Sequence, residues 1–112
     1  MRRYRLFPAS LILPAAALCA PGLAQSGGAP ALSERQAALL QANCVQCHAR
    51  RGTGAPQMGD AQAWKERARA GEERMLASVV LGGNGMPPLG YCGACNEQDL
   101  RALIRFMAMP RQ

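Results

Sequence analysis

The sequence predicts an all-α domain of about four helices. Apolar residues recur at helical spacing in several segments, and residues that cap helices precede them. No segment shows the alternating pattern of a half-buried strand, and the chain contains no internal repeat. With 112 residues, the chain is short enough for a single domain.

The first residues, 1–24, have the features of a secretory signal peptide. Residues 1–5 are basic, residues 6–20 are almost entirely apolar, and Gly22-Leu23-Ala24 offers small residues to a signal peptidase. The apolar run is short and contains prolines, so a membrane anchor is the weaker interpretation. Cys19 raises acylation as a lipoprotein, but the residue before it is bulkier than such signals require. We therefore expect cleavage after this segment and export to the periplasm.

The remaining chain divides into a flexible leader over residues 25–31 and a domain over residues 32–112. Three of the thirteen basic residues lie in the signal segment, so the net charge of +6 falls to about +3 after cleavage. This small excess gives little support for nucleic-acid binding. Basic and acidic residues alternate over residues 65–74, as on a solvated helix face. A domain of this size buries little core and usually needs a covalent staple or a bound group.

The first predicted helix begins at Ser33, which has capping-box spacing to Gln36. The helix continues up to the first C-x-x-C pair. We expect Ala37, Leu39 and Leu40 to lie on its buried side.

A loop over residues 51–59 leads to the second predicted helix. Asp60 caps this helix, Trp64 lies one turn in, and Gly71 ends it. The third predicted helix spans residues 72–81. Its apolar residues at helical spacing are Met75, Leu76, Val79 and Val80.

The run Gly82-Gly83-Asn84-Gly85 ends the third helix. Residues 86–90 are predicted to form a loop, because two prolines and the glycines exclude regular structure. Asn96 caps the last helix, and Pro110 lies just beyond its end. The apolar positions of this helix are Leu100, Leu103, Ile104 and Met107.

The pentapeptide Cys44-Val45-Gln46-Cys47-His48 is a haem-attachment motif. Two thiols separated by two residues in a helical turn match the vinyl groups on one porphyrin edge, and the next residue directs its imidazole at the iron. His48 is the only histidine in the sequence. The motif alone is weak, but it coincides with an export signal, which haem attachment in bacteria requires. The sequence therefore predicts one covalent haem c with His48 as the proximal ligand.

The iron of an electron carrier commonly has methionine as its second axial ligand. Met86 is the favoured candidate, because it lies in an irregular loop stiffened by two prolines and has no helix face to pack on. Met58 follows His48 by only ten residues, which is too close to reach the opposite face of a haem. The remaining methionines occupy packing positions on predicted helices or lie near the C terminus. They are Met75, Met107 and Met109.

The second pair, Cys92-Gly93-Ala94-Cys95, admits three interpretations. A disulfide that clamps the loop before the last helix is favoured, because an oxidising compartment rarely leaves thiols free. A thioredoxin-like redox pair is disfavoured, because no βαβ unit surrounds it. A zinc site built from both cysteine pairs is also disfavoured. The 44-residue gap between them exceeds the roughly 15–20 residues of a zinc ribbon.

From Ala42 to Met107 the sequence resembles the bacterial class I c-type cytochromes of the cytochrome c5 type, over about three-quarters of the exported chain. The cysteine pair after Met-Pro-Pro distinguishes this type from other small cytochromes. The matching pieces, in order, are Cys44-x-x-Cys47-His48, Gly54-Ala55-Pro56 with Gly59-Asp60, Ala63-Trp64, Gly85-Met86-Pro87-Pro88, Cys92-x-x-Cys95 and Phe106-Met107.

The resemblance implies an all-α cytochrome c fold around one haem. It also implies a specific set of covalent links and iron ligands. These are thioethers at Cys44 and Cys47, the ligands His48 and Met86, and the disulfide Cys92–Cys95.

Three further expectations follow from the resemblance. The backbone carbonyl of Pro56 should accept a hydrogen bond from the proximal imidazole and so orient it. Trp64 should pack near the haem, donate its N–H to a haem propionate, or simply pack in the core. Arg50 and Arg51 are more basic than the family pattern leads us to expect, which bears on the surface charge of the partner.

These residues and the resemblance predict a diffusible carrier of single electrons between redox proteins, rather than an enzyme. No second histidine is available to form a nucleophile–base pair.

Two alternatives stay open: a haem-bearing subunit of a larger oxidoreductase, and a haem sensor or peroxidase with an open iron position. We expect no nucleic-acid partner and no membrane span in the mature chain. Some relatives pair through the exposed haem edge, so a weak homodimer is a further expectation.

Overall fold

The computed structural model describes residues 30–110, and within them the backbone is helical with no strand. The predicted signal peptide, and the leader up to residue 29, lie outside the described residues. The elements are α1 (Glu34–Leu39), a π-helical turn (Leu40–Cys44), α2 (Val45–His48), α3 (Ala61–Arg69), α4 (Glu72–Leu81), a 3-10 turn (Pro88–Tyr91) and α5 (Glu97–Ala108). None of these helices combines the length and apolarity that crossing a membrane requires. The all-α prediction is confirmed for this part of the chain.

Side-chain caps begin three helices where the sequence predicts them. Ser33 and Gln36 form a capping box at α1. Asp60 accepts two backbone N–H groups of the first turn of α3. Asn96 and Asp99 form a second capping box at α5. Each cap satisfies backbone donors that the helix leaves free, a contribution of about 1 kcal/mol.

The first helical stretch changes its hydrogen bonding just before the first cysteine pair. After Leu39 the chain enters the π-helical turn, in which the N–H of Val45 bonds to the carbonyl of Leu40. The side-chain amide of Asn43 donates to the carbonyl of Leu39 at 2.9 Å. A side chain that takes a backbone acceptor weakens the α-helical pattern locally. The first predicted helix does reach the first cysteine pair, but its last stretch before Cys44 is π-helical rather than α-helical.

Helix α5 is the central element of the core. Its four predicted apolar residues are all buried, and they are Leu100, Leu103, Ile104 and Met107. Leu103 and Met107 pack with Leu40 and Trp64. The other two residues pack with Leu76 of α4. Because burial of each such side chain contributes about 1.5–3 kcal/mol, α5 holds the remaining helices in place.

Two predicted core positions lie at the surface instead. Ala37 is exposed, whereas Leu39 packs against the core. These two residues are about 200° apart around a helix of 3.6 residues per turn, so they cannot share a face. Val80 is 42% exposed, because Leu76 and Val79 occupy the side of α4 that faces α5.

Ion pairs join α5 to its neighbours. Arg101 and Arg105 bind Glu72 and Glu73 of α4 at 2.6–3.1 Å. The guanidinium groups lower the pKa of both glutamates and hold them ionised. Because the network is largely exposed, its contribution to stability is small. It nevertheless neutralises the basic residues of α5.

Candidate haem site

The first cysteine pair brackets the start of α2, with Cys44 at the N-cap as the last residue of the π-helical turn and Cys47 within the helix. Cys44 is half-buried, Cys47 is exposed, and neither forms a disulfide. Burial raises the pKa of the Cys44 thiol. His48 follows at the end of the turn and is only 7% exposed. Two thiols and an imidazole are thus held on one helical turn.

The imidazole of His48 has a fixed orientation. Its Nδ1 lies 2.8 Å from the carbonyl oxygen of Pro56. A carbonyl can only accept, so Nδ1 carries the proton and Nε2 of the neutral ring keeps its lone pair. The ring also stacks on Trp64, with centroids 6.0 Å apart and an interplanar angle of 29°. One ring nitrogen is therefore committed, and the other is available to a metal.

The side chains of Thr53 and Gln57 hold the loop after α2, and neither residue was predicted from the sequence to belong to the site. The Thr53 hydroxyl donates to the carbonyls of Cys47 at 2.8 Å and Arg50 at 3.1 Å. The Gln57 amide donates to the same two carbonyls, at 3.2 and 3.1 Å, and to that of Ala55. Carbonyls at the C-terminal end of a helix lack partners within it. Polar residues shortly after so short a helix are the signal that could have identified both.

Trp64 is a core residue, and its N–H has a protein partner. The side chain is 6% exposed and packs with Leu40 and α5. Its Nε1 donates to the backbone carbonyl of Gln57 at 2.8 Å. This bond uses the only donor of the indole. In this structure the indole N–H is thus bonded to a protein carbonyl, and the ring packs beside His48.

A tight turn precedes Met86. Gly83 and Met86 exchange two backbone hydrogen bonds, of 2.8 and 2.9 Å. Asn84 and Gly85 between them have φ of 51° and 88°. Positive φ at both central residues is typical of a two-residue hairpin turn, for which Asn-Gly is the preferred sequence. The sequence-based prediction for these residues was only the end of the preceding helix, although the Asn-Gly pair is itself a turn signal.

The segment after Met86 is a series of turns. Residues 88–91 form a short 3-10 turn, but Leu89 and Gly90 within it both have φ of 58°. The predicted loop is therefore irregular, as expected, although it contains this one helical turn. Met86 is half-buried, and a Cβ on Gly90 would lie 3.4 Å from its Cε methyl. The methionine side chain thus lies against the backbone of its own loop.

The structure brings some predicted site residues together and leaves others apart. His48 contacts both Pro56 and Trp64. Within residues 30–110, no described hydrogen bond or ring contact joins Met86 to His48.

The second cysteine pair forms the disulfide Cys92–Cys95, with 5.4 Å between the Cα atoms. Cys92 is 2% exposed, and its N–H donates to the carbonyl of Leu89 at 3.0 Å. Cys95 packs against the core beside α5. The disulfide therefore ties the end of the Met86 loop to the start of α5. Bonded sulfurs do not bind zinc, and residues 30–110 contain no group of three or more metal-ligating side chains.

Comparisons with known proteins agree with this architecture. The profile of the family described as "Cytochrome C oxidase, cbb3-type, subunit III" matches residues 31–107. Cytochrome c5 of Ectopseudomonas mendocina is 40% identical over 72 residues, which cover 62% of this chain and 83% of the relative. Cytochrome c5 of Azotobacter vinelandii is 45% identical over 70 residues, covering 58% and 81%.

A solved structure shares the fold. It is a chain of the crystal structure of an electron transfer complex of nitrite reductase with cytochrome c. The TM-score is 0.61 and the identity 37%, over 70% of this chain and 95% of that one. The predicted cytochrome c fold is thus confirmed. The chain belongs to the cytochrome c5 family of class I c-type cytochromes, and it is an electron carrier with one covalently bound haem c.

Proposed function

We propose that thioethers at Cys44 and Cys47 hold the haem, and that His48 and Met86 are its axial ligands. The observation that carries this proposal is the hydrogen bond from His48 to Pro56 at the end of the two-thiol turn. It fixes the tautomer in which Nε2 can bind iron. In this arrangement the protein passes single electrons between redox proteins and makes no substrate bonds.

The donor set of the chain fits a haem. Neither cysteine of the first pair belongs to a disulfide, so both sulfurs remain for thioether links. The Met86 loop is flanked by exposed apolar side chains, with Val80 and Leu81 before it and Tyr91 at its end. Three large apolar side chains on one loop and its preceding helix end suit the apolar faces of a porphyrin.

Each part of the chain has a distinct role in this proposal. Pro56 fixes the orientation of the imidazole, and Trp64 covers its ring and excludes water. The Asn84-Gly85 turn and the disulfide hold the two ends of the Met86 loop. The haem, when bound, supplies an iron that gains and loses one electron. A rigid ligand set keeps the reorganisation of the protein small when the charge of the site changes.

We further propose that the carrier works in the periplasm as residues 25–112, after removal of residues 1–24, with residues 32–112 as its cytochrome domain. The disulfide supports an oxidising compartment. The similar cytochrome c is described in a complex with nitrite reductase, which supports a redox enzyme as a partner here. Purified from a periplasmic fraction, the protein should begin near residue 25 by mass spectrometry. A mass that includes residues 1–24 would contradict this.

The axial ligands can be tested with two matched leucine variants. Met86→Leu should abolish the weak far-red absorption band of methionine-ligated ferric haem and lower the reduction potential, because the soft sulfur is lost. Met75→Leu, a volume-conserving change in the core, should keep the band. Loss of the band only in Met75→Leu, or its absence in the wild type, would overturn the assignment. An absent band would instead favour the sensor or peroxidase with an open iron position.

The attachment has an independent test. The haem should remain on the chain through denaturing electrophoresis, and Cys44→Ala combined with Cys47→Ala should release it. Cys92→Ala combined with Cys95→Ala is the matched control and should retain it. Haem that dissociates from the wild-type chain on denaturation would contradict thioether attachment.

A second candidate function is a haem-bearing subunit of a larger oxidoreductase. The matching family profile, described as an oxidase subunit, favours it. Size-exclusion chromatography of a native extract separates the two candidates. A free carrier should elute near its own 11.9 kDa or below, whereas co-elution with a large complex would favour the subunit.

A further inference from the structure

Arg50 lies in a backbone segment that is clamped to the exposed cysteine of the first pair. The carbonyls of Cys47 and Arg50 share two donors, the Thr53 hydroxyl and the Gln57 amide. Two side chains that each bridge the same two carbonyls fix the distance between those residues. The position of Arg50 relative to Cys47 is therefore set by the fold rather than by chance.

The side chains of Arg50 and Arg51 are exposed and make no ion pair within residues 30–110. Some other basic residues of the described part are paired with carboxylates, whereas Lys65, Arg67 and Arg74, on α3 and α4, also have no ion pair there. Arg35 pairs with Asp99, and the arginines of α5 pair with carboxylates of α4. The free positive charge of Arg50 and Arg51 thus lies directly after the turn that carries Cys47 and His48.

We propose that Arg50 and Arg51 form a docking surface for an acidic patch on the redox partner, beside the edge of the haem. The inference rests on the proposed haem attachment at Cys47. Guanidinium groups pair with carboxylates through two parallel hydrogen bonds, which suits them to an acidic protein surface. A small surface of unpaired charge accelerates encounter and orients it without tight binding. The electron would then leave or arrive near the point at which the partner docks.

The first test uses inorganic oxidants of opposite charge on the reduced holoprotein. Arg50→Gln with Arg51→Gln should slow oxidation by anionic hexacyanoferrate(III) about tenfold at low ionic strength, and should accelerate oxidation by cationic tris(phenanthroline)cobalt(III). Both effects should fade as salt is added, because the Debye length falls. The matched control, Lys65→Gln with Arg67→Gln, removes the same charge from exposed positions on α3. It should change each rate by less than about threefold.

The second test locates the surface without any electron transfer. Poly-L-glutamate, added to the isotope-labelled holoprotein, should shift the backbone NMR signals of residues 50–53 most strongly. Arg50→Gln with Arg51→Gln should remove these shifts, and the α3 control should keep them. Shifts centred on α3, or equal slowing of hexacyanoferrate(III) by the two double variants, would overturn the proposal. If these results contradict the proposal while the haem stays on the denatured chain of both double variants, the haem attachment is intact. The proposed docking surface alone is then wrong.

Discussion

The Cα of Gly82 lies so close to the Met86 loop that a Cβ built on it would stand 2.7 Å from the carbonyl oxygen of Met86. The backbone of Pro87 and Pro88 would be equally close, at 2.9 and 2.7 Å. Gly82 also has φ of 72° and ψ of −171°, a region open essentially only to glycine. The end of α4 and the loop of the proposed axial ligand therefore touch at a position without a side chain.

Gly82→Ala should displace the Met86 loop. The backbone strain of about 1–3 kcal/mol adds to a steric overlap that only a backbone shift can relieve. We expect a clearly lower Tm and loss of the far-red band of methionine ligation. Gly93→Ala is the matched control, since a Cβ there meets nothing within 4 Å. A Gly82→Ala protein with the wild-type band and Tm would contradict this close packing.

Gln57→Leu should destabilise the loop after α2. The substitution removes the amide that caps the carbonyls of Cys47, Arg50 and Ala55 and nearly preserves the side-chain volume. Loss of these partly exposed bonds should cost about 1–2 kcal/mol in unfolding free energy, measured with denaturant. Gln62→Leu, on the exposed face of α3, should change it by less than about 0.5 kcal/mol. Equal effects of the two variants would show that the Gln57 amide does not stabilise the loop after α2.

The sequence predicted the parts of the fold that depend on local chemistry. The caps Ser33, Asp60 and Asn96 mark helix starts because their side chains satisfy nearby backbone donors, and the helical spacing on α5 corresponds to burial. The π-helical turn, which is accompanied by a bond from the Asn43 amide to the Leu39 carbonyl, was not predicted. Apolar periodicity does not register such a bond.

In the candidate haem site too, local sequence chemistry predicts some features, and tertiary packing determines others. The turn that carries Cys44, Cys47 and His48 follows from sequence spacing. The bond that commits the Trp64 N–H to Gln57 depends on how α3 packs against the preceding loop, which no spacing encodes. The hydrogen bonds from the Thr53 hydroxyl to the carbonyls of Cys47 and Arg50 likewise depend on the geometry of the loop. Polar residues in that loop could indicate capping in general but not which carbonyls they reach.

Removal of the disulfide should loosen the loop more than its short span suggests. Closing a four-residue loop contributes about 2 kcal/mol by chain entropy, and Cys92 is also a buried core residue. Cys92→Ala combined with Cys95→Ala should therefore lower the unfolding free energy by about 2–4 kcal/mol. It should also broaden the NMR signals of the Met86 methyl group, because one end of the loop is released. Reductant should produce the same change in the wild type and none in the variant; a reductant effect that persists in the variant would point to another target.

Stability should fall in acid partly because of Asp99. The backbone N–H of Asn96 and the guanidinium of Arg35, at 2.7 Å, hold the pKa of this carboxyl below its ordinary range. A lowered folded-state pKa means that the stabilisation is complete above the unfolded pKa of about 3.9. It is lost as the pH falls through the folded pKa.

Asp99→Asn should accordingly be less stable than the wild type at about pH 6 and lose less stability on acidification to about pH 3. Denaturant unfolding at the two pH values measures both quantities. Arg35→Gln should weaken the same acid dependence, because it removes one of the groups that favour the carboxylate. Glu34→Gln, at an exposed carboxylate on the same helix as Arg35, should retain the wild-type acid dependence. If Asp99→Asn and the wild type lost equal stability over this range, the acid sensitivity would have to arise elsewhere in the chain.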